Sequence, residues 1–295
     1  MAGSAAKATR VDTGDGGWVA LHDLGGTGPA LLICHATGLC GRAYERLAAA
    51  LADAFHVWAL DFRGHGDSPV PADEDFSWNG MVRDADAAAA AIGEQPLHVF
   101  GHSMGGAVAL AVEARRPGTF ATAYVYEPII LDPSRAWHTE NPLADGARKR
   151  RNVFPSREEA LWRFASRPPL NDWDAGSLVA YVRHGFADQE DGTVRLKCSG
   201  ENEARTFEAS GGITTREIAG ASLPAVVACG DPTTHLSVLA RAAAEALPRG
   251  ELRTHPDLAH FGPLQLPGLI AGEIRAHIAA DASEHAAQRS DRAAR

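Results

Sequence analysis

Residues 97–110 read Leu97-His98-Val99-Phe100-Gly101-His102-Ser103-Met104-Gly105-Gly106-Ala107-Val108-Ala109-Leu110, and this stretch decides the fold. An apolar run with strand character, 97–100, is followed at once by helical sequence over 104–115, with Gly101 to Gly105 as the bend between them. The pattern G-x-S-x-G in that context puts a serine on a turn so tight that its backbone angles are strained, and the flanking glycines prevent clashes with neighbouring chain. A helix beginning at Met104 points unpaired N–H groups and the positive end of its dipole at the space before Ser103. The stretch contains neither the G-x-G-x-x-G of a dinucleotide site nor the G-K-[ST] of a phosphate loop.

Outward from this bend, short β-rich runs alternate with longer helical patterns, the sign of parallel strands joined by crossover helices. The alternation predicts strands at 18–22, 30–34, 56–60, 97–100 and 123–126, with helices at 42–52, 78–92 and 104–115. It resumes with a strand at 224–229, a helix at 236–247, a strand at 251–254 and a helix at 269–278. Between them, 132–221 shifts toward Trp, Arg and Pro and carries Ser156 and Glu159 in capping-box spacing. We read 1–131 and 222–280 as one α/β core, 132–221 as an inserted helical cap, and the polar, Ala-rich 281–295 as a flexible tail.

The chain has 295 residues, 45% hydrophobic and 22% charged, which supports a sizeable core and argues against global disorder. A formal net charge of −9 opposes nucleic-acid binding. The basic run Arg148, Lys149, Arg150 and Arg151 has two readings, a patch that holds an acidic substrate and a solvated helix face, with the second preferred. Cys34, Cys40, Cys198 and Cys229 lack metal-ligand spacing, and Cys34 and Cys229 fall in apolar runs, so they read as core residues in a reducing compartment. Residues 1–17 lack the apolar stretch of a secretion signal, and no run of 18 apolar residues exists, so a cytoplasmic protein with no membrane partner is expected.

Three further segments bear on function. His35-Ala36-Thr37-Gly38 follows the strand at 30–34, Asp61-Phe62-Arg63-Gly64-His65-Gly66-Asp67-Ser68 follows the next, and His260-Phe261-Gly262-Pro263 lies near the end. With the Ser103 bend, they resemble the α/β-hydrolase superfamily over about 18–277, the cap excepted. The resemblance implies a mostly parallel central sheet flanked by helices, with Ser103 as nucleophile and His260 as its general base. It also implies an oxyanion hole from the backbone N–H groups of Thr37 and Met104. Ala36 stands where that superfamily usually has glycine. The turn from Asp61 to Ser68 reads as structural, since its glycines serve turn geometry.

A serine hydroxyl needs an imidazole to take its proton during attack. Of the thirteen histidines, His260 follows the last strand in the order serine, acid, histidine. Two carboxylates compete to orient it. Asp231 lies 29 residues before His260, near the superfamily's usual acid position but out of register. Glu127 ends the strand at 123–126, 24 residues after Ser103, where some relatives of this fold carry their acid. Both strand ends lie on the same edge as the bend, so either fits, with Glu127 preferred.

The implied chemistry is cleavage of an ester, lactone or thioester of a small, largely apolar substrate through an acyl-enzyme, with no metal, nucleotide or flavin. Serine in place of aspartate excludes the reactions of epoxide hydrolases and haloalkane dehalogenases. Carbon–carbon bond hydrolysis, acyl transfer and a non-catalytic ligand receptor are the alternatives. Trp137, Phe154, Trp162, Phe164, Trp173, Tyr181 and Phe186 of the cap serve either as a pocket lining or as the cap's own core.

Overall fold

In a computed structural model that describes residues 8–131 and 141–293, the apolar runs form strands. They are β1 (Thr9–Asp12), β2 (Trp18–Gly26), β3 (Ala30–Cys34), β4 (His56–Asp61), β5 (Leu97–His102), β6 (Ala123–Tyr126), β7 (Val153–Phe154), β8 (Phe186–Asp188), β9 (Val194–Leu196), β10 (Ala225–Cys229) and β11 (Gly250–Thr254). Among the described residues, eight of them make one sheet in the order β1-β2-β4-β3-β5-β6-β10-β11. All pairs from β4 to β11 are parallel, and β2 runs antiparallel to both of its neighbours.

Strands β3, β5, β6 and β10 are buried along their whole length, and mostly apolar, because helices cover both faces. Side chains alternate between faces with period two. Leu32, Cys34, Val99, Val125 and Val227 pack with the helices Trp78–Ile92, Met104–Arg115 and His235–Ala246. Leu31, Ile33, Phe100, Tyr124 and Val226 meet Glu45–Leu51 and the last helix, Pro267–Ala293. Helix ends follow from local chemistry. For Trp78–Ile92, the Ser77 side chain accepts from the Gly80 N–H at 3.1 Å, and Gly93 closes the helix at φ 65°.

Two expectations need correction. The segment after residue 140 is not purely helical, since β7, β9 and β8 form a small antiparallel sheet beside its helices. Strands of two or three residues are too short to leave a periodic trace in sequence. Residues 281–293, expected as a tail, continue the last helix. Alanine favours helix, and Arg249 adds a tie by pairing with Asp281 and Glu284. Among the described residues, no helix is long and apolar enough to cross a membrane.

The turn after β4 is built around buried Asp61. Its carboxylate accepts from the N–H of Gly41 (2.6 Å) and of Asp67 (2.7 Å) and meets His22 Nε2 at 2.9 Å. Arg63 of the same turn is locked to buried Asp84.

Burial depresses the pKa of several imidazoles: His65 to about 3, with His35 adding to the effect, and His98 to about 4. His35 is lowered as well, again by burial. Burial raises the Asp61 carboxyl, but the His22 hydrogen bond and charge outweigh that and hold it at about 2. For all four groups the unfolded chain binds more protons on acidification, so stability must fall. Asp84, raised by burial, opposes this as a single group. The urea midpoint is therefore expected to drop steadily from pH 6.5 to pH 4; a flat or rising midpoint over that range contradicts the assignment.

Candidate active site

Ser103 caps the helix Met104–Arg115 with φ 55° and ψ −117°, a conformation that side chains rarely adopt. Two constraints hold it there. Its N–H donates to the Tyr126 carbonyl of β6 at 2.9 Å, and the helix is pressed against β3. A Cβ at Gly105 would lie 2.2 Å from the Cys34 carbonyl oxygen, so only glycine permits that approach. Met104 opens the helix, which leaves its N–H without an intrahelical acceptor.

Glu127, directly after β6, is also at positive φ (43°) and buried. Its N–H donates to the Ala228 carbonyl at 2.8 Å, which fixes the bend. One carboxylate oxygen accepts from the Gly230 N–H at 2.8 Å, and the other lies 2.7 Å from His260 Nδ1. Of the two competing carboxylates, the imidazole meets Glu127. Asp231 is engaged elsewhere: its Oδ1 accepts from the N–H (2.8 Å) and the hydroxyl (2.7 Å) of Thr233, a local turn before the helix His235–Ala246. The structure thus brings Glu127, and not the Asp231 side chain, to the imidazole.

The loop bearing His260 is tied down from two sides. The Tyr126 hydroxyl donates to the Ala259 carbonyl at 2.9 Å, and His102 Nε2 lies 2.7 Å from the His260 carbonyl. A carbonyl only accepts, so His102 carries its proton on Nε2, and Nδ1 accepts from the Tyr44 hydroxyl at 2.6 Å. The Tyr44 oxygen accepts in turn from the Ala36 N–H at 3.3 Å. Burial, reinforced by His260, keeps His102 well below the usual pKa of 6.5, and therefore neutral.

The loop of residues 35–38 is pinned at both ends. His35 Nε2 accepts from the Phe62 N–H at 3.0 Å, while Nδ1 donates to the Ala36 carbonyl at 2.8 Å. The Thr37 hydroxyl points at Met104 Sδ, 3.5 Å away. Gly38, at φ 77°, packs under Glu203, and its carbonyl accepts from the Tyr181 hydroxyl at 3.3 Å. Arg150 binds both Glu203 and Tyr181, so the inserted segment grips this loop directly.

A cavity of about 440 Å³ opens beside this loop, walled by Thr37, Gly38, Leu39 and Phe261 from the core. From the inserted segment, Phe154, Phe164, Trp173 and Tyr181 line it while also packing on one another. Phe186 belongs to that aromatic cluster, Trp162 is 73% exposed, and Trp137 lies outside the described residues. Of the basic run, Arg148, Lys149 and Arg151 are exposed, but the run does not share a helix face. The helix Pro142–Arg148 ends at its first member, and Lys149, Arg150 and Arg151 line the cavity.

A family model described as the Alpha/beta hydrolase family matches residues 31–273. The chain belongs to the α/β-hydrolase family. Human monoglyceride lipase is 34% identical over 112 residues, 36% of this chain and 37% of the lipase. N-formylmaleamate deformylase of Pseudomonas putida is 31% identical over 119 residues, 40% of this chain and 44% of the deformylase. The chain spans less than half the length of the curated relatives it matches. Among solved structures, E-2-(acetamidomethylene)succinate hydrolase superposes with a TM-score of 0.76 at 19% identity, over 92% of this α/β hydrolase and 99% of that one.

Sequence reading missed Tyr44 and Glu203, which carry no motif of their own, and named Tyr181 and Arg150 without placing them on the Thr37 loop. Tyr44 is the sharpest case, because Tyr44→Phe strands the buried His102 Nδ1 without a donor. We expect a loss of about 1–3 kcal/mol in unfolding free energy by urea titration, against less than about 0.5 kcal/mol for Asp231→Asn at the surface.

Proposed function

We propose that this α/β hydrolase cleaves a carboxylic ester, lactone or thioester of a small substrate through an acyl-enzyme. The observation that carries this reading is the 2.7 Å contact between His260 Nδ1 and buried Glu127, in a loop bound through His102 to the strained Ser103 turn. A carboxylate on Nδ1 holds the proton there and leaves Nε2 as the basic nitrogen. Nε2 takes the Ser103 proton as Oγ attacks the carbonyl carbon. The oxyanion is received by the Met104 and Thr37 N–H groups, donors aimed where charge develops. His260 then protonates the leaving group, and the acyl group stays on Ser103. Water, deprotonated by the same imidazole, attacks the acyl carbon, releases the acid and restores the hydroxyl.

Similarity to a lipase and a deformylase supports hydrolysis at a carbonyl centre. The aromatic wall of the cavity favours an apolar acyl portion.

Hydrolysis of p-nitrophenyl esters of graded chain length tests the reading, together with labelling by a fluorophosphonate. Ser103→Ala is expected to abolish labelling and lower kcat by about 100,000-fold or more. Glu127→Gln keeps the side-chain volume but offers its amide N–H to His260 Nδ1, forcing the wrong tautomer. It should lower kcat by about 1,000- to 10,000-fold, whereas Asp231→Asn should stay within about 2-fold of the parent. Unmodified Ser103 in folded protein, or equal losses from the two acid variants, overturns the assignment.

A further inference from the structure

The cavity beside the Thr37 loop has a charge composition unlike that of the chain. Overall, acidic residues outnumber basic ones 37 to 28. In the cavity wall, Lys149, Arg150, Arg151, Arg163 and Arg167 face a single acid, Glu203. Glu203 is already bound to Arg150, and Arg151 is paired with Glu159 and lies over the Phe154 ring. Lys149, Arg163 and Arg167 meet no carboxylate among the described residues. Elsewhere matching is common: Arg63, Arg115, Arg116, Arg205 and Arg253 each face one.

We infer that this cavity selects acyl compounds that carry an anionic group, a carboxylate or a phosphate, held by Lys149, Arg163 and Arg167. The inference rests on the hydrolase reading of Ser103 and His260 given above. Lys149 and Arg167 are exposed and Arg163 is half-buried, so the three cations stand at the open rim of the cavity, where their summed potential draws anions in from solvent. Guanidinium groups suit both carboxylate and phosphate oxygens through paired N–H donors. The neighbouring wall is apolar, with Leu39, Phe164, Leu170, Trp173 and Phe261. The two surfaces together fit a substrate with an apolar stem and a charged end. Arg163 and Arg167 come from the helix Arg157–Ala165 and the turn that follows it, so the inserted segment supplies the selectivity while the core supplies the reactive groups.

Two matched pairs test this. p-Nitrophenyl hydrogen glutarate against p-nitrophenyl valerate places a carboxylate on the acyl side; S-valeryl phosphopantetheine against S-valeryl pantetheine places a phosphate on the leaving side. We expect kcat/KM to favour the anionic member of at least one pair by about 10-fold or more at low salt, with the preference shrinking as ionic strength rises. The pair that shows it identifies the anion. In Arg163→Gln/Arg167→Gln the ratio should fall to about 2-fold or less. Hydrolysis without any preference, or a preference untouched by the double variant, overturns the inference and leaves the hydrolase reading standing. Calorimetric titration of Ser103→Ala with glutaric acid monoanilide against valeranilide, and with phosphopantetheine against pantetheine, separates the two claims. Tighter binding of the anion with no turnover in the parent protein sinks the Ser103 chemistry and keeps the cationic site.

Discussion

Three loops from distant parts of the chain meet through one uncharged imidazole, the His102 ring. On one side it receives the Tyr44 hydroxyl, which holds Ala36 beside Thr37; on the other it holds the carbonyl of His260. His102 itself precedes Ser103, so the proposed nucleophile, base and oxyanion loop share one hydrogen-bonded frame. The frame depends on a defined proton position, and burial secures it by keeping the ring neutral. Substitutions that disturb any of these hydrogen bonds act on all three loops together.

Much of this was legible in the sequence for identifiable reasons. The helices Trp78–Ile92 and Met104–Arg115 and the strands β3 and β6 match their expected limits, because apolar runs of clear period are bounded there by glycine, serine or proline. The Ser103 turn was readable because its chemistry is local. The choice between Glu127 and Asp231 was not, since both stand at the ends of neighbouring strands. Only the contact with His260 separates them, and spacing along the chain carries no information on which carboxylate a ring will meet. The basic run was half legible: Arg148, Lys149 and Arg151 are exposed as expected, but four consecutive charges fit a helix face only while the helix continues, and Arg148 is where it stops.

The inserted segment does more than cover the core. Through Arg150, Glu203 and Tyr181 it reaches the loop that carries Thr37, and its aromatic rings pack on one another while facing the cavity. One set of side chains therefore packs the insertion together and walls the cavity beside the Thr37 loop. This dual use explains why composition alone could not sort those aromatics into core and lining.

The position of Glu127 on β6 also sets how the centre is spaced. β6 is bonded directly to β5, which leads into Ser103, so the two proposed reacting partners ride on adjacent strands and keep their spacing through a single strand pair. The turn after β10 gives the centre backbone groups, the Gly230 N–H to Glu127 and the Asp231 N–H to the Leu258 carbonyl of the loop that bears His260. With the proposed acid on β6, the side chains from residue 231 to 234 need handle no proton, and that stretch serves as a brace: its backbone holds Leu258 on one side and Ser237 of the next helix on the other.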